Sequence, residues 1–535
     1  MSARLRNPAL LVFFLVFVAA ALTLPEVGVT DDDDFYLPAG HSYFRWSRRV
    51  VSEPSAALRQ DQLDAHWSPN REHPPLAKWF IGLGRYLGHE LSGWMPALDA
   101  GRLGTCFFFA LVVALIFALA RERLGLGPAI FAAAAFVLIP RLAFHGRVAT
   151  LDMPVAAMST LFFFAFWRLH RTRSAKAILL MTLAFGLALS TKLNAPFTLL
   201  ACGGFWLLES LPEFRRNREG IQLPDLPLWL LIIPVGGLLI QVALWPWLWP
   251  DVIGRFSEYV RFHTGHYPIY LFYEGQIWER PFAPWHAPFA HTWAVLPTSL
   301  LFAALVGFAV LLRQAFGFER FDERPGPDEG MFARYLLIHG FIAIGTVAFS
   351  PVPKYGGIKL FLPFFPLLAI AMGFGMKRLL ECLPKKPWAV PVLAGLLLSG
   401  GAIDSWKFRG QALSSFGAHV GGLSGAVQRG YERQYYDVFD RHMARWLSEN
   451  TPKSGRVYFE PNHKEYVRSG PYLKRTGDLR SDIRLRGGHR ADIVVLTHER
   501  RWRTFADLAE KLKHRPVLYE HRVDGVVLWT AFGRD

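Results

Sequence analysis

Residues 102–120 read RLGTCFFFALVVALIFALA, followed at 121–123 by RER. After Arg102 no charged residue occurs until Arg121. A hydrocarbon core about 30 Å thick takes roughly 20 apolar residues in one helix. This stretch therefore predicts a membrane span whose far end is fixed by arginines. Ten other runs repeat the pattern, and the candidate spans are 8–25, 102–120, 128–144, 153–168, 177–191, 195–209, 227–249, 292–313, 334–350, 359–376 and 388–403. The composition of the 535 residues agrees. Apolar residues make up 52% and charged residues only 19%, against about 25% charged in a soluble domain, and mean hydropathy is +0.21. Disorder, a coiled coil and a disulfide scaffold are excluded. Cys106, Cys202 and Cys382 all lie in or beside apolar runs, which argues against a cysteine zinc site or a disulfide framework. The first run follows Arg4 and Arg6, as a signal peptide would. No small-x-small cleavage site closes it, so it reads as a retained anchor.

The net charge of +16 suggests nucleic acid until its distribution is read. With the N-terminus cytoplasmic, the inner connections carry Arg121 and Arg123; Arg168, Arg171, Arg173 and Lys176; Arg215, Arg216 and Arg218; Arg313; and Lys377, Arg378, Lys385 and Lys386. That alternation is the positive-inside pattern, and no nucleic-acid partner is expected. The outer face receives the loops 26–101 and 250–291 and everything after 403. Two units follow: a membrane domain over 1–403, and an extracytoplasmic α/β domain over 404–535. In the latter, 436–449 and 502–513 are helix-like, and 456–460, 492–496 and 525–531 are strand-like.

Chemistry-bearing residues gather at the outer ends of the spans. Asp31, Asp32, Asp33 and Asp34 are adjacent carboxylates, so mutual repulsion should raise at least one pKa. Such a group suits general-base work on a hydroxyl, or weak binding of Mg²⁺ or Ca²⁺. His73-Pro74-Pro75-Leu76-Ala77-Lys78 fixes backbone direction ahead of an amphipathic stretch at 76–87, which would lie at the interface with Trp79 and Phe80 among lipid headgroups. His145-Gly146-Arg147 and Asp152 bracket one outer turn, Lys192 occupies the next, and Lys354-Tyr355-Gly356-Gly357-Ile358-Lys359 forms another. Lys78, Arg147, Lys192, Lys354 and Lys359 all run against the positive-inside rule. Charged groups at a membrane boundary are costly and usually functional, so together they point to an anionic ligand near the bilayer.

These motifs, taken in order, resemble the GT-C class of polytopic glycosyltransferases. More narrowly they resemble glycosyltransferase family 39, related to the protein O-mannosyltransferases and to the aminoarabinose transferases. Pro38-Ala39-Gly40-His41-Ser42-Tyr43 sets the register of the family's acidic pair at Asp32 and Asp33, with aspartate where the family has glutamate. Asn70-Arg71-Glu72-His73-Pro74-Pro75, Thr191-Lys192, Trp245-Pro246-Trp247-Leu248-Trp249-Pro250 and the run from Gly421 to Tyr436 are similar to further family motifs. Tyr355-Gly356-Gly357-Ile358-Lys359-Leu360 departs from the family's Tyr-x-Gly-x-Arg-His. Lysine there keeps the charge but loses bidentate phosphate binding.

The resemblance implies a polyprenyl-phosphate-linked sugar as donor and a protein, lipid or glycan as acceptor, in a bacterial inner membrane. On this reading Asp32 is the base, with Asp33 and Asp152 orienting acceptor or base. The five cations hold the donor phosphate, and His73, His145 and Tyr355 contact substrate. The leaving phosphate is a stable anion, so no general acid and no cofactor or metal is required. A transporter or flippase of polyprenyl-linked sugars would use the same groove without a base. It should also place charges near mid-membrane and show inverted repeats, and neither is evident. A non-catalytic envelope receptor is the other alternative, and Asp32→Asn separates both from an enzyme.

Overall fold

The computed structural model describes residues 8–172, 174–216, 227–265, 269–279, 283–317, 327–349 and 352–534. Arg4, Arg6, Arg173 and Arg218 lie outside the described residues, as do parts of the expected loop at 266–268 and 280–282. Each of the eleven expected spans falls on helix. Among the described residues, five helices suffice by length and composition to cross a membrane: Pro8–Glu26, Ala97–Leu124, Thr298–Phe316, Asp328–Ala348 and Ala389–Lys407. Leu126–Val137, Ala175–Leu189 and Trp229–Leu244 are apolar but shorter. The protein is an α-helical integral membrane protein with a C-terminal sheet domain.

The helix Ala97–Leu124 is the centre of the bundle. Of its apolar window 72% is buried, against 11% for Pro8–Glu26 and 17% for Ala389–Lys407. Its two ends differ in chemistry. Near the C-terminal end, Arg168 and Arg171 each bond Glu122 at 2.9 Å, and Arg123 bonds Asp328 at 2.7 Å. At the N-terminal end, Arg102 reaches Asp33. Twenty-one residues at 1.5 Å each separate Arg102 from Arg123 by roughly 30 Å, a hydrocarbon thickness. The basic end and the aspartate end therefore lie on opposite sides of the bundle.

The expected outer loop after the first helix is largely helical. Asp31–Ser52 begins with all four aspartates in its first turn, where the helix dipole favours negative charge. Thr30 and Asp33 form a reciprocal capping box, with the Thr30 amide donating to Asp33 Oδ2 at 3.0 Å. The expected amphipathic stretch is the helix Leu76–Arg85, continued by a wider turn at Tyr86–Leu91. It packs between Asp31–Ser52 and Ala97–Leu124 at glycines. A Cβ on Gly82 would strike the Gly40 carbonyl, and one on Gly104 would meet the Ile81 amide at 2.5 Å. Small residues let these backbones touch. Trp79 turns inward, donating to the Leu244 carbonyl at 3.3 Å, and Phe80 packs on Phe107 and Phe108.

In the C-terminal domain a five-stranded sheet runs in the order Arg484–Leu485, Arg456–Glu460, Ile493–Thr497, Val526–Phe532, Val517–Val523. Its first three strands are parallel and its last two antiparallel. The expected strands are present within a residue or so. Val517–Val523 was hidden because, as an edge strand, it buries none of its residues fully. The helix His463–Thr476 was hidden because Gly470 and Pro471 interrupt its pattern. The expected helix at 436–449 starts only at Arg441, where Asp440 caps it by accepting from the Met443 amide at 2.7 Å. Just before it, Val438–Phe439 pairs antiparallel with Val29–Thr30. The segment just before the C-terminal sheet thus forms a ladder with the residues that lead into the aspartate helix. The helix Ala389–Lys407 runs across the expected domain boundary, and Phe408, Leu413 and Phe416 beyond it are buried.

Candidate active site

Four segments meet at the aspartate end: the first turn of Asp31–Ser52, the start of the helix Asp152–Thr172, the turn at Lys192, and the glycine turn leading to Lys359. Lys359 Nζ lies 3.0 Å from both oxygens of Asp32 and 3.7 Å from Asp152 Oδ2. Lys192 Nζ is bonded to Asp152 Oδ1. Thr150 Oγ lies between the acids, 3.0 Å from Asp32 and 2.8 Å from Asp152. A hydroxyl has one proton to give, so Thr150 serves one carboxylate at a time. Tyr436 donates to Asp32 Oδ2 at 2.8 Å, and its ring lies 4.5 Å from Lys359 Nζ. Two carboxylates and two ammonium groups therefore balance, and Asp32 is 7% exposed and Asp152 1%. Asp32, Asp152, Lys192 and Lys359 are thus brought together, and Tyr355 lies within electrostatic range of three of them, its hydroxyl pKa pushed up by burial.

The other expected residues are placed differently. Asp33 is fully buried against Arg102, at 3.0 Å to Nε and 2.6 Å to Nη2, and also accepts from the Ala149 amide at 2.9 Å. Its neighbours are those of a structural anchor. Lys78 spends its ammonium on the Asn70 and His73 carbonyls at 2.7 and 2.8 Å, the Asn70 side chain and the Tyr43 hydroxyl. Burial brings its pKa down to about 7. Arg147 bonds the carbonyls of Ala143 and Thr23, and Lys354 those of Phe349 and Val352. His73 packs against Tyr36 and His263, its pKa pushed well down by burial. His145 is buried with its ring 6.0 Å from that of Tyr436. Thr150 and Tyr436 were not singled out as site residues. Tyr436 closes the run from Gly421 and Thr150 stands between Arg147 and Asp152, but a neutral hydroxyl carries no charge signal to mark it.

The outer aspartates of the run face elsewhere. Asp31, Asp34 and Glu465 place oxygens within 4.8 Å of one another, enough for a cation or for shared protons. Burial, more than repulsion, raises the pKa of Asp31, with Asp437 and Glu465 adding to it. Asp34 rises to about 7, again chiefly by burial, although Ser469 donates to it at 2.8 Å. The folded chain thus holds this proton more tightly than the unfolded chain, and stability falls as pH rises from about 4 to about 7. Asp34→Asn should remove that slope. The variant is expected to melt above the wild type at pH 8 and level with it near pH 4. A lower melting point at pH 8 would show Asp34 to be an ionised, stabilised carboxylate.

Residues 72–235 match the family model for dolichyl-phosphate-mannose-protein mannosyltransferase. The match is to a glycosyltransferase family. It spans Lys78, Arg147, Thr150, Asp152 and Lys192 of the geometry above and bears out the GT-C likeness read from the motifs. No curated protein matches the chain. Among solved structures, ArnT from Cupriavidus metallidurans in the apo state is 15% identical with a TM-score of 0.48, over 98% of this chain and 97% of that one. The same protein bound to undecaprenyl phosphate gives 15%, 0.47, and 98% of each chain. An Archaeoglobus fulgidus oligosaccharyltransferase tethered to an acceptor peptide is 13% identical with a TM-score of 0.40, over 90% of this chain and 64% of that one.

Proposed function

We propose that the protein moves a sugar from a polyprenyl-phosphate-sugar donor to a hydroxyl or amine of a protein, lipid or glycan, with inversion at the anomeric carbon. The reaction takes place at the extracytoplasmic face of a bacterial inner membrane. The observation that carries this reading is the carboxylate of Asp32, held by Lys359, Thr150 and Tyr436 beside the Lys192–Asp152 pair. The ammonium of Lys359 makes this carboxylate a poor base until it leaves, whereas the neutral hydroxyls of Thr150 and Tyr436 aim it. An arriving phosphodiester competes for Lys359 and Lys192, drawing them from Asp32 and Asp152. Asp32 then accepts the proton of the acceptor group as that group attacks the anomeric carbon. The bond from sugar to phosphate oxygen breaks, and the polyprenyl phosphate leaves as an anion stabilised by the two ammonium groups. No step calls for a metal, and a cation at Asp31, Asp34 and Glu465 would be structural.

The test is release of polyprenyl phosphate by protein reconstituted in lipid nanodiscs. Mass spectrometry of lipid-linked sugars from cells with and without the protein names the sugar. No accumulated donor and no missing product would sink the proposal.

Tyr436 reaches Asp32 from the C-terminal segment. Hydrogen bonds to charged groups are worth about 1.5–3 kcal/mol. Tyr436→Phe should therefore lower kcat roughly 10- to 100-fold and leave donor Kd unchanged. An unaltered kcat would remove the hydroxyl from the reaction.

A further inference from the structure

Arg141, in the short helix Pro140–His145, is 1% exposed. The two other buried arginines among the described residues are paired with acids. Arg102 holds both oxygens of Asp33 and the carbonyls of Val27 and Gly28. Arg441 holds Asp99, Asp478 and the Val27 carbonyl. Arg141 has no carboxylate partner among the described residues. Its Nε donates to the Ser415 carbonyl at 3.0 Å, and the guanidinium lies 4.5 Å from the Phe416 ring and 5.9 Å from that of Tyr435. Its Nη2 is buried with no hydrogen-bond partner. A buried charge left in that state is expensive, and a well-packed apolar residue would serve the fold better.

The surroundings say what the open edge faces. Nη1 lies 3.4 Å from where a Cβ on Gly357 would stand. Gly356 and Gly357 both have left-handed backbone, with φ of +68° and +62°, a conformation that glycine adopts without strain. The turn they form leads into Lys359, with Lys354 and Tyr355 just before it; the small pocket on the turn is lined mostly by apolar residues such as Leu271, Val347 and Phe361 and does not include Arg141. Tyr435, beneath the guanidinium, immediately precedes the Tyr436 that holds Asp32. The lysines at Asp32 and Asp152 are already neutralised by those acids, whereas the charge on Arg141 is not.

We propose that Arg141 and the Gly356-Gly357 turn form a phosphoryl-binding subsite, in which the open guanidinium edge takes oxygens of the donor's phosphate. This rests on the glycosyl-transfer reading above. Arginine suits the task because its planar fork donates two parallel bonds to one phosphate.

The experiment titrates a polyprenyl monophosphate into the full-length protein in nanodiscs, for the wild type, Arg141→Met and Arg141→Lys. Arg141→Met should weaken binding roughly 10- to 100-fold while melting no lower than the wild type, because an unpaired buried charge has been removed. Arg141→Lys should also weaken binding, by less, since it keeps charge and loses the fork. Competition by inorganic phosphate in the wild type, lost in Arg141→Met, would support the same subsite from a free anion. Wild-type affinity in Arg141→Lys overturns the subsite. So does a lowered melting point in Arg141→Met, which would make the residue a tie to Ser415. Either result leaves transfer itself standing, whereas a wild type that binds no polyprenyl phosphate overturns the transfer reading instead.

Discussion

Asp32→Asn is expected to abolish measurable transfer, lowering kcat by roughly 10²- to 10⁴-fold, the usual contribution of a positioned general base. Asparagine keeps the size of the side chain, and its carbonyl oxygen can still accept from two of the three donors Lys359, Thr150 and Tyr436. What it loses is the capacity to take a proton. Donor affinity should therefore stay within a few-fold of the wild type, or rise, because Lys359 is no longer held by a full negative charge. Single-turnover release of polyprenyl phosphate and direct donor titration separate the two quantities. An Asp32→Asn protein that turns over like the wild type would falsify the mechanism, and one that loses donor binding alone would make Asp32 a binding residue.

The second large effect concerns folding. Arg102 and Asp33 are both fully buried and bonded through two contacts. Removing one partner of such a pair leaves an uncompensated buried charge and costs about 3–5 kcal/mol. Arg102→Met should therefore unfold at a markedly lower temperature in detergent. Replacing both partners by neutral groups is far less costly, so the double variant Arg102→Met with Asp33→Asn should recover most of the loss. The double variant also separates two roles for Asp33. If it only anchors the loop, transfer returns with stability, whereas if it orients the acceptor, the protein folds and stays inactive. Equal melting of the single variant and the wild type would show that the pair contributes nothing to the fold.

Much of this was legible in the sequence, and the reasons differ by feature. The spans were readable because some twenty apolar residues in a row, as at 102–120, match the thickness of a bilayer and seldom occur in a chain folded in water. Asp32, Asp152, Lys192 and Lys359 were readable because charge at a span end is rare and costly. The same signal could not separate Lys359, which faces Asp32, from Lys78, Arg147 and Lys354, which hold backbone carbonyls. In sequence a cation tying down a loop looks like a cation awaiting an anion. Asp33 illustrates the point most sharply, since its partner Arg102 stands 69 positions away and reads there as the first residue of a span. Arg141 escaped notice because it sits inside an apolar run and its lack of an acid is a fact of three dimensions. The hydroxyls of Thr150 and Tyr436 carry no charge pattern at all.

The ladder between Val29–Thr30 and Val438–Phe439 has a consequence for biosynthesis. Asp32 is synthesised 404 residues before the tyrosine that holds it, and about as long before the strand next to that tyrosine. All the spans between them must be made before this carboxylate has its full set of hydrogen bonds. A chain that stops short of Tyr436 would therefore lack a group that holds Asp32 in place and, under the proposed mechanism, would be inert in the bilayer.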